Sequence, residues 1–288
     1  MHMPSPTSRP LEYRLNHVLD YIDAHLGQNL NLDCLAALAH LSRYHFLRRF
    51  QQWSAEAPHA YVRRRRLETG ASQLLYSSDS IAAVAQNCGF DTADGFARAF
   101  RQYFGLSPSR WRDEQRVMAA ASSAGPVAGQ HGPVRVIQLP TARVAYTRHF
   151  GPYDVDSAAQ WRQLDIWCCQ HDLPPSARFG MGLDDPDITA PEKCRYDVCV
   201  ELPESFVAPA GMPVKTIAGG MHAVLRFIGP RVLSKDAWHR LLRDGVLYGR
   251  YKVAARPCFE RYPPDQRLAC IEAQDCELCL PLEPQMAL

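Results

Sequence analysis

The first part of this sequence is written twice. Shifted by 50 residues, Phe46, Arg48 and Phe50 fall on Phe96, Arg98 and Phe100, Pro58 falls on Pro108, and Tyr61 on Trp111. A repeat at fixed spacing implies one supersecondary unit used twice. Each copy holds a short helix (Leu32 to His40; Ile81 to Asn87), a tight turn ending in an apolar and a capping residue (Leu41, Ser42; Phe90, Asp91) and a second helix. That order is the grammar of a helix-turn-helix. In the second helices Phe46, Phe50, Trp53 and Phe96, Phe100, Tyr103 recur at i, i+4 and i+7, which turns them toward a core. Arg43, Tyr44, Leu47 and Arg48 then point outward from one helix, and Ala93, Asp94, Ala97, Arg98 and Arg101 from the other. A rigid helix bearing arginine on that face fits the major groove of B-DNA.

The 288 residues are long enough for two domains. Apolar residues make up 47% and charged ones 22%, which excludes a disordered or collagen-like chain. No apolar run approaches the ~20 residues that span a bilayer, and the N-terminal MHMPSPTSRP lacks the apolar core of a signal peptide. A soluble, cytoplasmic protein is expected, with no membrane partner. Ten cysteines at irregular spacing are expected as reduced thiols. Charge is split: residues 1–120 carry 14 Arg against 11 Asp and Glu, and the remainder 18 Lys and Arg against 19 acids. Every basic residue of the first part is arginine, the type suited to bidentate contact with phosphates and guanine. Residues 119–132, rich in Ala, Gly, Ser and Pro, read as a linker between a helical domain (1–118) and an α+β domain (133–288).

LAALAHLSRYHFLRRF followed by SIAAVAQNCGFDTADGFARAFRQYFGLSPSRWR closely resembles the DNA-binding domain of AraC/XylS-type transcription regulators, over roughly residues 11–116. The resemblance implies a monomer whose two recognition helices enter successive major grooves roughly 34 Å apart. It implies double-stranded promoter DNA as a partner, and RNA polymerase as another, since activators predominate in that family. The contact residues carried over are Ser42, Arg43, Tyr44, Leu47 and Arg48 in one copy, and Ala93, Asp94, Arg98 and Arg101 in the other. His40 and Ala55 stand where the family usually has turn glycines, and Gly95 lies inside the second recognition helix.

The second part also repeats. At a shift of 78, Ala145, Arg148, Gly151 and Pro152 fall on Ala223, Arg226, Gly229 and Pro230, and Val136 on Val214. Each copy runs into a helix, Ser157 to His171 and Lys235 to Arg250, and then into two strands. A duplicated hairpin-helix-hairpin unit implies a pseudo-twofold α+β domain with a ligand cleft between its halves. This layout, with FERYPP and the closing CELCLPL, resembles the GyrI-like effector-binding domain, and the two domains together form a Rob-like architecture. The resemblance implies that Glu260 balances a cationic ligand in an aromatic pocket. A carboxylate among rings offers a lipophilic cation both a charge partner and cation-π contact. Tyr146, Trp161, Phe179, Tyr196, Tyr251 and Tyr262 are the candidate lining.

Cys276 and Cys279 form a C-x-x-C, but in a strand residues three apart point to opposite faces, so buried thiols are expected rather than a metal site. No H-E-x-x-H, G-x-S-x-G or phosphate-binding glycine loop occurs, so neither cofactor nor catalytic residues are expected. Two alternatives stand beside an effector-controlled regulator. The second domain could be a small-molecule hydrolase, with Glu260 as general base and Trp161 as substrate platform, or a partner-docking module with no ligand.

Overall fold

The computed structural model describes residues 10–122, 130–153, 157–209, 211–246, 251–254, 256–264 and 274–284. The chain divides into two compact units, Met1–Ala121 with Pro209–Gly211, and Ser122–Ala208 with Met212–Leu288.

The first unit is all-helical: α1 (Leu11–Ala24), α2 (Leu32–Leu38), α3 (Arg43–Ser54), α4 (Pro58–Tyr76), α5 (Ile81–Asn87), α6 (Ala93–Phe104) and α7 (Pro108–Ser122). Both turns are built by the same devices. Ser42 caps α3 by accepting from the His45 N–H, and Thr92 caps α6 by accepting from the Gly95 N–H. Thr92, not Asp91, is therefore the capping residue, as the shift of 50 from Ser42 requires. His40 and Ala55 hold left-handed φ of 51° and 58°, where Gly89 and Gly105 hold 73° and 77° in the second copy. Phe46, Phe50, Phe96 and Phe100 are fully buried, and Phe50 and Phe100 meet Tyr61 and Trp111 edge-on at 5.6 and 5.8 Å. Tyr103, expected in the core, is 42% exposed, and its hydroxyl donates to Glu68 Oε1 at 3.1 Å.

The arginine run of α4 is structural. Arg64 Nε lies 3.0 Å from Glu56 and its Nη1 2.9 Å from Glu68, while Arg65 pairs with Asp23 at 3.0 Å and Glu68 at 3.2 Å. Arg66 donates to the carbonyls of Leu26 and Gln28, and Arg63 to Gln102. These side chains tie α4 to both copies of the repeat. Residues 119–132, expected as a linker, begin differently: the alanines 119–121 are strong helix formers and carry α7 on to Ser122, while β1 starts at Gln130. Residues 123–129 lie outside the described residues.

The second unit is an antiparallel sheet with two helices. Its strands are β1 (Gln130–His131), β2 (Arg135–Leu139), β3 (Ala142–Phe150), β4 (Arg178–Gly182), β5 (Arg195–Glu201), β6 (Val214–Ile217), β7 (Gly220–Gly229), β8 (Tyr251–Val253), β9 (Phe259–Tyr262) and β10 (Gln274–Pro284). The order is β1-β7-β10-β9-β4-β5-β3-β6, with β2 also on β7 and β8 also on β10. Helices α8 (Ala158–Gln170) and α9 (Ser234–Val246) follow the first strands of each repeat; residues 247–250, expected in the second helix, lie outside the described residues. The two copies meet at β4 and β9, where Arg178, Phe179 and Gly180 pair with Tyr262, Arg261 and Glu260.

Each face of the sheet carries its own core. Trp161, Leu164, Ala237 and Leu241 of the helices pack with Tyr196, Val198, Tyr262, Cys276 and Leu278 on one side. Tyr146, Phe179, Cys199, Phe259 and Cys279 pack on the other. Cys276 and Cys279 thus lie on opposite faces, as strand alternation requires. Among the described residues no group of His, Cys, Asp and Glu could hold a metal ion, and no helix is long and apolar enough to cross a membrane.

Candidate functional site

Each unit holds one candidate site, exposed in the first and buried in the second. In the helical unit, Arg43, Tyr44 and Arg48 are exposed on α3, with Leu47 half-buried beside them. On α6, Asp94, Arg98 and Arg101 are exposed, and Ala93 is half-buried. Tyr44 is 71% exposed, unusual for an aromatic side chain on a folded helix. Arg43 lies 3.7 Å from Asp33, but both groups are solvated and the pair is weak. Ser42 has its hydroxyl committed to the cap of α3. Among the described residues neither Arg48 nor Arg98 is held by a hydrogen bond or ion pair. Arginines of α4 are consumed by the fold, whereas these two stand at the same outward position of each repeat with their forks unspent.

In the second unit, Glu260 sits on β9 at the seam of the two repeats and is 5% exposed. Tyr196 Oη donates to its Oε2 at 2.5 Å, and Tyr262 Oη donates to the same oxygen at 2.6 Å. Gln274 Nε2 donates in turn to Tyr262 Oη at 3.0 Å. The edge of Trp161 meets the Tyr262 ring at 5.8 Å. Glu260 forms no ion pair among the described residues. A buried carboxylate is costly unless its charge is compensated, so two phenols on one oxygen leave charge for a cation to balance. Burial and the Glu260 charge both push the Tyr196 and Tyr262 hydroxyls well above the ordinary phenol range, keeping them protonated donors.

Of the expected lining, Trp161, Tyr196 and Tyr262 share the helix-covered face with Glu260. Tyr251 packs at the margin of that core from β8. Tyr146 and Phe179 do not belong to this site. Strand alternation turns them to the opposite face, where Phe179 packs on Phe259 at 5.7 Å. Tyr146 there lies under two cations, Arg148 and Lys215, which both bind the fully buried Asp197.

Two residues of the site escaped the sequence reading. Gly180 faces Glu260 in register, and a Cβ there would fall 1.8 Å from Tyr196 Oη. A glycine inside a strand signals such a close approach, and RFGMG offers two. The other is Arg231, whose guanidinium lies over the Tyr196 ring at 4.5 Å from its centroid.

A duplicated α+β fold with a buried carboxylate between its repeats, preceded by a tandem helix-turn-helix unit, defines a class of two-domain DNA-binding proteins with a small-molecule site. Family models agree. A helix-turn-helix domain model matches residues 35–114, and the model of the GyrI-like small molecule binding domain matches residues 132–283. The second match covers more than half of the chain, which belongs to the GyrI-like family and carries an AraC-type helix-turn-helix domain before it.

Relatives divide in the same way. The regulatory protein PocR of Salmonella typhimurium is 33% identical over 105 residues, 36% of this chain and 35% of PocR. A DNA gyrase inhibitor of Cronobacter sakazakii is 34% identical over 134 residues, 43% of this chain and 82% of that protein. The chain therefore spans about a third of the regulator's length but most of the inhibitor's. Among solved structures, the DNA-binding domain of AdpA in complex with a target DNA is 30% identical, with a TM-score of 0.36 over 36% of this chain and 95% of that domain.

Proposed function

We propose that this protein is a sequence-specific transcription regulator whose helical unit binds promoter DNA and whose GyrI-like domain senses a small lipophilic cation. The observation that carries the sensing role is Glu260, a carboxylate buried under aromatic rings with two phenols on one oxygen and no ion-pair partner among the described residues. A purely structural core would be more stable with an apolar residue there. The reading of DNA contact rests on Arg48 and Arg98, exposed and unspent at equivalent positions of two helix-turn-helix copies. Ligand and DNA are then linked through two states of the protein that differ in affinity for each. RNA polymerase is the protein partner this reading adds, on the resemblance of residues 11–116, and the cytoplasm is the compartment it requires.

The test of the sensing role is calorimetry of the full chain with tetraphenylphosphonium. Wild type is expected to bind and Glu260→Gln to bind at least ~10-fold more weakly, the scale of one lost partly buried charge partner. Equal affinity of the two proteins overturns the assignment.

A further inference from the structure

The Glu260 site already holds a cation of the chain's own. Arg231 stands in a short 3-10 turn, Arg231–Leu233, directly after the Gly229-Pro230 pair that ends β7. Its Nε donates to the Tyr153 carbonyl at 2.8 Å and its Nη1 to Ser157 Oγ at 3.2 Å. Tyr153 and Arg231 are 78 residues apart, the period of the repeat, so the side chain crosses from one copy to its equivalent position in the other. There the guanidinium covers a face of the Tyr196 ring, the same ring whose hydroxyl binds Glu260. Burial disfavours its charge, yet Tyr196, Glu260 and Tyr262 hold its pKa above the ordinary guanidinium value. Arg231 forms no ion pair with Glu260 among the described residues. It therefore balances the carboxylate across the phenol without neutralising it directly, which is a weaker and more easily replaced arrangement.

One ring face accommodates one cation. An organic cation that reaches Glu260 and stacks on Tyr196 competes for the position Arg231 holds. We propose that Arg231 is the specificity-determining residue of this site: a resident cation that a ligand must displace from Tyr196, so that only large, weakly hydrated aromatic cations enter. A small quaternary ammonium ion offers no ring to replace the lost contacts, so it does not repay the displacement. The proposal rests on the reading of Glu260 as a cation site, and it adds a direction that reading lacks: removing a positive charge tightens binding of a positive ligand.

The experiment titrates full-length wild type, Arg231→Gln and Glu260→Gln with tetraphenylphosphonium and with tetramethylammonium. Arg231→Gln is expected to bind tetraphenylphosphonium ~10-fold more tightly than wild type, the scale of a desolvated cation-π contact, and to gain measurable affinity for tetramethylammonium. Unchanged or weaker binding by Arg231→Gln, with Glu260→Gln still impaired, overturns the proposal and leaves the Glu260 reading standing. Absence of cation binding by wild type and Arg231→Gln alike overturns both.

Because Arg231 also anchors Tyr153 and Ser157, a second measurement needs no variant. Wild type is treated with phenylglyoxal, which modifies accessible guanidinium groups, and labelling of Arg231 is followed by peptide mass spectrometry. Saturating tetraphenylphosphonium is expected to raise labelling at Arg231 several-fold as the side chain is expelled into solvent. Labelling that stays constant or falls means the guanidinium keeps its seat, which overturns the proposal.

Discussion

Glu260 stands opposite Gly180 in the register of β4 and β9, and a methyl group on Gly180 would fall 1.8 Å from Tyr196 Oη and 2.7 Å from Glu260 Oε2. The hydrogen bond between phenol and carboxylate thus exists because its neighbour has no side chain. Gly180→Ala is expected to expel the Tyr196 hydroxyl from Glu260 and to destabilise the protein by about 1–3 kcal/mol, the usual cost of overpacking. Urea unfolding and a tetraphenylphosphonium titration check this together. Unchanged stability with unchanged binding would show that the site tolerates the methyl group, and that the tight packing is not needed.

Arg48 and Arg98 share one outward position in the two repeats. Each alanine variant is expected to lose about 1–3 kcal/mol of specific DNA binding where the residue reads a base, with relaxed preference at that base. A phosphate contact would instead weaken all sequences alike and flatten the salt dependence. Competition binding of each variant against operator and scrambled duplexes separates these outcomes. A variant that binds both duplexes as wild type does removes that arginine from the interface.

The left-handed turns give an internal comparison. Gly89→Ala puts a Cβ 2.5 Å from the Leu26 carbonyl oxygen, whereas a Cβ on Gly105 meets nothing within 4 Å. Both variants bear left-handed strain of about 1–2 kcal/mol, so Gly105→Ala is expected to cost about that much and Gly89→Ala clearly more. His40→Gly, at the equivalent turn of the first copy, is expected to be neutral or mildly stabilising, since relief of strain is partly offset by unfolded-state entropy. Thermal unfolding of the three variants tests the ranking.

Asp197 links the sheet to pH. Burial pushes its carboxyl up, but Arg148 and Lys215 outweigh burial and hold it at about 2 against an ordinary value of 3.8. Its folded value is depressed, so its contribution is present above the unfolded pKa and is lost as pH falls from about 4 through about 2. That contribution is on the order of 2 kcal/mol. Wild type is expected to lose stability over this window in acid denaturation, and Asp197→Asn to show a smaller dependence from a lower starting stability. Parallel profiles would contradict the role given to the ion pair.

Much of this was legible in the residues. Repeats at 50 and 78 residues set out both halves of the fold, and the phenylalanines at i and i+4 marked the buried faces of α3 and α6, whereas Tyr103 at i+7 is exposed. The face of the sheet was harder to read. Strand β3 is largely buried on both sides, with no polar alternation to give its parity, so its sequence does not tell that Tyr146 faces away from Glu260, nor does β4 tell it of Phe179. Arg64 and Arg65 are paired with Asp23, Glu56 and Glu68, which are distributed along the chain, so spacing alone does not tell which acid each arginine meets. Arg231 had one available signal, its position 78 residues from Tyr153 beside a repeated Gly-Pro, but a solvated arginine would look the same in sequence.

The most direct test of the whole account is fluorescence anisotropy of the full chain on a labelled duplex from its own upstream region, with scrambled competitor and with or without saturating tetraphenylphosphonium. The account expects binding that resists the competitor and an affinity that shifts when the cation is added. Equal binding to both duplexes, unmoved by the cation, would contradict it.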